Sequence, residues 1–136
     1  MSNICLIGCV KTKRRARCMA KDMYISTLFK ERYKYAQKMG KKIYIISAKY
    51  GLIAPNDKIE PYDMTLKDIS SANRKKWAAR VVAKLESIEH IGKGGGVMIL
   101  AGKEYREWLE RFYRVDYPFI GLRFGLQLQK MKEKAR

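Results

Sequence analysis

Three short, unbroken apolar runs, each followed by a stretch of helical spacing, constrain this chain more than any other feature. The runs are Asn3–Val10, Ile43–Ser47 and Val97–Ala101. Apolar runs without polar alternation are expected of strands buried on both faces, which helices must then cover. Residues 19–39 place Ile25, Leu28, Phe29, Arg32, Tyr35, Ala36 and Met39 on one helical face, with Gly40 as a natural C-cap. Residues 70–90 open with Ser70 and Ser71 and carry Trp77, Val81, Leu85 and Ile88 on one face. Gly102 opens a further helix with Tyr105, Trp108, Leu109 and Phe112 on a stripe. Tyr117–Gly121 reads as a short edge segment, and a basic amphipathic helix over 122–135 closes the chain with Leu126, Leu128 and Met131. Strands alternating with helices predict an α/β fold with right-handed crossovers. The expectation is a small three-layer sandwich over 1–136. It has a mostly parallel sheet of three to four strands, helices on both faces and a basic C-terminal helix.

Charge narrows the partner. Thirty Lys and Arg against 13 Asp and Glu give +17 in a chain of 136 residues. A surplus of that size works against compaction unless an anion compensates it, so nucleic acid is the expected partner. DNA leads, with RNA as the variant. No apolar run reaches the ~18 residues of a membrane span. The first apolar run precedes the basic cluster, the reverse of a signal peptide, so no membrane and a cytoplasmic location are expected. Cys5, Cys9 and Cys18 are odd in number and clustered, which fits reduced thiols better than a disulfide framework. With one histidine, His90, and no CxxC pair, neither a metal nor a cofactor is expected. A monomer is the expected state.

In open parallel sheets, ligands bind beyond the carboxyl ends of the strands. Three segments meet there: Cys9–Arg17, Ser47–Asp63 and Ala101–Tyr105. The first holds five cations in seven residues, Lys11–Arg17, without the glycines of a Walker loop. Lys13, Arg14, Arg15 and Arg17 are placed to neutralise backbone phosphates. Residues 48–67 form a connection too long to be merely a link. Ser47, Lys49, Tyr50 and Gly51 allow a planar ligand to approach, and Tyr50 or Tyr62 could stack on a base. Asp63 is a carboxylate in a basic field, suited to activate water or stabilise a sugar cation. It could equally cap the following helix. Asp22 is the reserve carboxylate or the N-cap of the first helix. Cys9, beside Lys11 and Lys13, is either a nucleophile or a small buried residue at a strand end.

Ser47-Ala-Lys-Tyr-Gly-Leu52 followed by Pro61-Tyr-Asp63 resembles the signature of a family of short bacterial and phage α/β proteins. Members carry a cysteine and a lysine after the first strand, here Cys9 and Lys11. They share an Asp-Leu-Tyr-x-Ser element, here Asp22 to Ser26 with Tyr24, and an Ala-Gly-x-x-Tyr element, here Ala101 to Tyr105 with Gly102. Their ending, Pro-x-x-Gly-Leu-x-x-Gly-x-Gln-Leu, is similar to Pro118–Leu122 with Gly125–Leu128. The pattern also resembles the YaaA-like peroxide-stress DNA-binding proteins. More distantly it is similar to domains associated with tRNA-guanine transglycosylases and archaeosine synthesis, and to glycosylases of the uracil-glycosylase type. The chain lacks the histidine-bearing motif of the last group, since His90 falls in a helix.

The resemblance implies nucleic acid and the N-glycosidic bond. The expected function is therefore a DNA-binding hydrolase of the DNA-glycosylase kind, acting on a nucleobase. A non-catalytic nucleic-acid-binding protein and a nucleotide- or nucleoside-processing enzyme are the alternatives.

Overall fold

The computed structural model describes residues 3–11, 13–119 and 124–134. In chain order the elements are β1 (Ile4–Gly8), β2 (Cys18–Met19), α1 (Ala20–Met23), α2 (Thr27–Lys38), β3 (Lys42–Ser47), β4 (Gly51–Ile53) and β5 (Lys58–Ile59). A 3-10 turn (Leu66–Asp68), α3 (Ser71–Glu89), β6 (Gly96–Leu100), α4 (Lys103–Leu109), β7 (Arg114–Asp116) and α5 (Phe124–Lys134) follow. Five strands form one sheet in the order β4-β3-β1-β6-β7, and β2 pairs with β5 separately. Within the large sheet β3, β1, β6 and β7 are parallel, and β4 is antiparallel at the edge.

β1 is central because it is the most apolar run: all five of its residues are buried. Leu6, Ile7, Ile45, Ile46, Ile99 and Leu100 are fully shielded and form the sheet's contribution to the core. From β1 the chain crosses to β3 on one side, and from the β3–β4 hairpin it crosses back to β6 on the other. Right-handed crossovers in opposite directions put their helices on opposite faces. Accordingly α2 packs on β1, β3 and α5, while α3 packs on β4 and α4. Gly8 permits close approach of β1 to the end of β6, since a Cβ there would lie 2.6 Å from Ala101 Cβ.

The α/β sandwich with helices on both faces is as the sequence predicts, but three elements differ. The sheet has five strands, because β4 and β7 are short and pair at the edges. The edge strand is Arg114–Asp116 rather than Tyr117–Gly121; its two outer residues are exposed, so no apolar run marks it. Part of the expected segment, residues 120 and 121, lies outside the described residues. The helix expected over 19–39 is two helices. Tyr24 takes an extended conformation, and Ser26 starts α2 by accepting a hydrogen bond from Phe29 N at 3.2 Å. Asp22 therefore sits inside α1 and caps nothing. The closing helix spans Phe124–Lys134, and residues 122, 123 and 135 of its expected span are outside the described set. No helix among the described residues is long and apolar enough to cross a membrane.

Candidate functional site

The 48–67 connection is not a plain loop. Ser47 and Gly51 pair as β3 turns back into β4, so Ala48, Lys49 and Tyr50 form a hairpin turn. Gly51 has φ +73°, a conformation that favours glycine, and Arg80 lies 3.2 Å from where its Cβ would stand. The turn by itself requires the motif's glycine. Farther on, Ala20 N and Lys21 N donate to Asp57 O and Pro55 O at 2.8 and 3.0 Å. With the β2–β5 pairing, these bonds zip the basic segment after β1 to the segment after β4.

Between these segments and the start of α4 lies a cavity of about 680 Å³ at the carboxyl ends of β1 and β6. This is the switch point where connections leave to opposite faces, as expected for an open α/β sheet. Its size falls within the range of about 300–1,000 Å³ typical of small-molecule sites. Cys9 and Lys11 reach it from β1, Asp63 and Lys67 from the segment before α3, Arg32 from α2, and Gly102 and Tyr105 from the start of α4. Cys9 Sγ lies 3.1 Å from Tyr105 Oη in a buried contact. Burial, and then the neighbouring Cys9, push the Tyr105 phenol well above its usual range, so it stays protonated and able to donate.

Behind Cys9 stands a cluster of hydroxyls. Ser47 is fully buried and its Oγ donates to Tyr62 Oη at 2.7 Å. Ser47 Oγ also accepts from Tyr50 N at 3.1 Å. Tyr62 Oη is 2.7 Å from Tyr24 Oη. Burial raises the pKa of both Tyr24 and Tyr62. Lys13 Nζ sits 4.5 Å from the Tyr62 ring centroid, and burial lowers its pKa against the opposing pull of Cys9 and Asp63. Trp77 Nε1 donates to Ser47 O at 2.8 Å and stands edge-on to Tyr105 at 5.5 Å, tying α3 to the hairpin and α4.

The predicted site residues therefore fall into groups. Cys9, Lys11, Asp63, Gly102 and Tyr105 share the cavity. Tyr24, Ser47, Tyr50 and Tyr62 form the packed wall behind it, and Lys13, half-buried over the Tyr62 ring, is coupled to Asp63 of the cavity. Tyr50 and Tyr62, expected to stack on a base, are both half-buried. The two rings meet edge-on at 5.5 Å, with Lys13 over Tyr62 and Lys49 Nζ 5.3 Å from the Tyr50 centroid. Asp22 lines a separate groove with Phe29 and Tyr33 and does not reach the cavity. Arg14, Arg15 and Arg17 are exposed. Arg14 Nε donates to Asp22 O at 2.8 Å, and Arg17 Nε lies 3.8 Å from Glu60 Oε1.

Asp63 caps nothing. Ser70 caps α3, and Thr65 with Asp68 caps the 3-10 turn. The Asp63 side chain accepts no hydrogen bond among the described residues and is exposed at the cavity wall. His90 is the left-handed C-cap of α3 (φ 52°). The glycine run 92–96 leads into β6, whose first residue is Gly96, at the opposite end of the sheet. The three cysteines are free, and burial pushes the Cys5 thiol up to about 12. Among the described residues no three His, Cys, Asp or Glu side chains are grouped to hold a metal ion. Three residues that the sequence placed only in predicted elements, and not in the site, prove of consequence here: Arg32, Trp77 and Tyr117. The available signal for the first was a charged residue within the apolar stripe of a helix.

Fold and site together define a small α/β protein with a strand-end cavity walled by cations, carboxylates and a thiol. The chain belongs to the family of unknown function designated DUF6884, which matches residues 4–133. No curated protein matches the chain.

Proposed function

We propose that this protein is a DNA-directed hydrolase that cleaves the N-glycosidic bond of a nucleobase. The observation that carries the reading is Asp63: a carboxylate on the wall of the strand-end cavity, relieved of any capping duty and electrostatically coupled to Lys13. The similarity of the Tyr-Gly-Leu and Pro-Tyr-Asp motifs to proteins of nucleic acid and base chemistry supports the same class. So does the surplus of +17.

In the proposed step, water oxygen bonds to C1′ of the sugar as the C1′–N bond breaks, and the bond's electron pair leaves with the base. The water proton passes to Asp63, and the departing base takes up one proton. Asp63 also stabilises the cationic character that develops on the sugar. Lys13, made a readier proton donor by burial, is suited to supply the base's proton. Arg15 and Arg17 at the exposed rim grip phosphates while the target base is drawn out of the stack. The protein works without cofactor, as a monomer, and its free cysteines support a reducing, cytoplasmic compartment.

The test is mass spectrometry of bases freed from several natural DNAs, modified phage genomes included, alongside a binding isotherm. Asp63→Asn is expected to abolish release yet preserve or tighten binding, because a negative charge near phosphates is removed. Release retained by Asp63→Asn would remove Asp63 from the chemistry. Binding with no release by the wild type on any substrate would leave a binding module.

A further inference from the structure

We infer that the cavity contains a phosphate subsite built on Arg32, so that the ligand is a nucleotide held by its phosphate. Arg32 lies on α2 and lines the cavity, yet the residue is only 6% exposed. No carboxylate among the described residues lies within ion-pair distance of it. Its partner is the Tyr117 hydroxyl, and a like charge, Arg106, also acts on it. Burial above all, and then that repulsion, disfavour the guanidinium; Tyr117 opposes them first, and the Glu104 carboxylate less. A buried cation held by a neutral hydroxyl, without a carboxylate partner, is costly and destabilises the protein that carries it.

The surroundings hold Arg32 in place rather than neutralise it. Tyr117 Oη donates to Gln127 Oε1 of α5 at 3.0 Å, which leaves its oxygen to accept from Arg32. Arg106 stacks on the Tyr117 ring at 4.0 Å while it bonds Ala101 O and reaches Glu110. Arg106 thus has a carboxylate within ion-pair distance, and among the described residues Arg32 has none. Lys11 and Lys67, both exposed, add two cations to the same cavity. A forked guanidinium with two lysines is the donor set of a phosphate group. The acids of the cavity are otherwise disposed: Asp68 accepts from Thr65 N and Oγ1, and the Glu104 carboxylate lies against Gly102. Asp63 is left to face the sugar.

This inference deepens the reading above and rests on the same cavity. The phosphate has two sources, a free nucleoside 5′-monophosphate or the diester of a DNA strand, and the experiment separates them. Thermal unfolding is followed with a nucleoside, its 5′-monophosphate and a short dinucleotide diester, all at matched ionic strength. The monophosphate is expected to raise the Tm of the wild type and the nucleoside much less, since a ligand bound only by the folded state stabilises it. An equal rise with the dinucleotide assigns the phosphate to DNA; its absence assigns it to the free nucleotide.

Arg32→Met is expected to leave the ligand-free Tm unchanged or higher, because an uncompensated buried charge is removed. It should weaken monophosphate binding about 10- to 100-fold. Arg32→Lys keeps the charge without the fork and is expected to bind weakly. Equal shifts by nucleoside and monophosphate, or a phosphate-dependent rise retained in Arg32→Met, would overturn the subsite. A ligand-free Tm lowered in both variants, with monophosphate affinity intact, would make Arg32 structural and likewise overturn it. Base release from DNA without a phosphate-dependent rise would sink the subsite alone. A phosphate-dependent rise without base release would sink only the glycosidic reading.

Discussion

At the scale of single residues, Gly8, Tyr62 and Asp63 each do a different kind of work. Gly8 is a packing requirement: a methyl group there would meet Ala101 Cβ at 2.6 Å where two strand ends converge on the cavity. Gly8→Ala is expected to cost about 1–3 kcal/mol by forcing the strands apart, read from urea denaturation with an unchanged m-value. Tyr62 is a positioning residue. Its hydroxyl receives the Ser47 proton and meets Tyr24, so Tyr62→Phe leaves a fully buried serine donor unpaired. That change is expected to cost about 1–3 kcal/mol in the same assay. The motif Pro61-Tyr-Asp63 thus joins a residue that faces inward to one that faces the cavity. Both were visible as candidates, but the choice between cap and site at Asp63 needed the positions of Ser70 and Thr65.

At the scale of elements, the basic segment after β1 and the far end of α3 make separate predictions. β2 and β5 pair to hold the basic segment beside the second loop, which leaves Arg14, Arg15 and Arg17 exposed, with Arg14 bonded to Asp22 O and Arg17 near Glu60. Changing Arg15 and Arg17 together to Ala is expected to flatten the slope of log K for DNA against log salt by up to about two units, since each phosphate contact contributes ~0.9. An unchanged slope would place the phosphate contacts elsewhere.

At its C-terminal end, α3 is held by two glutamates. Glu86 accepts from Tyr113 Oη at 2.6 Å and from Gly92 N at 2.8 Å, and the tyrosine is the chief cause that lowers its pKa. Glu89 accepts from Tyr44 and pairs with Lys42 at 2.7 Å, and that lysine chiefly lowers its pKa. A carboxylate whose folded pKa is depressed stabilises the fold above its ordinary value of 4.5. That contribution is lost as pH falls through the folded value. Glu86→Gln is expected to flatten the decline of stability between about pH 5 and pH 3, measured by denaturant midpoints across that range.

At the scale of the whole molecule, the surplus of +17 is not a single patch awaiting a partner. Three cations of α3 already serve the fold: Arg74, Arg80 and Lys84 donate to Leu66 O, Lys49 O and Leu52 O at 2.6, 3.3 and 2.8 Å. Others gather at the carboxyl end of the sheet, around the cavity and on the basic segment. DNA affinity is therefore expected to fall steeply between low and physiological salt, as measured by fluorescence titration. Affinity unchanged over that range would argue against a polyanion as the partner.

The alternation of buried runs and helical stretches was sufficient to read the three central strands, the α/β class and the convergence of three segments at one end. It was sufficient because strand burial and helix amphipathicity are local patterns, written in periods of two and 3.6 residues. Edge strands such as Arg114–Asp116 escaped it, since a half-exposed edge needs no apolar run. The break at Tyr24 escaped it too, because Ser26 acts as a cap only once Tyr24 is drawn out to meet Tyr62. Tertiary structure alone decided which carboxylate faces the cavity, Asp63 rather than Asp22. It alone turned Arg32 from one member of an apolar stripe into a buried cation lining the cavity. Both depend on which distant residues arrive as neighbours. Pairing between α2, Tyr117 and α5 spans some 95 positions of chain, from Arg32 to Gln127, and no local pattern records it.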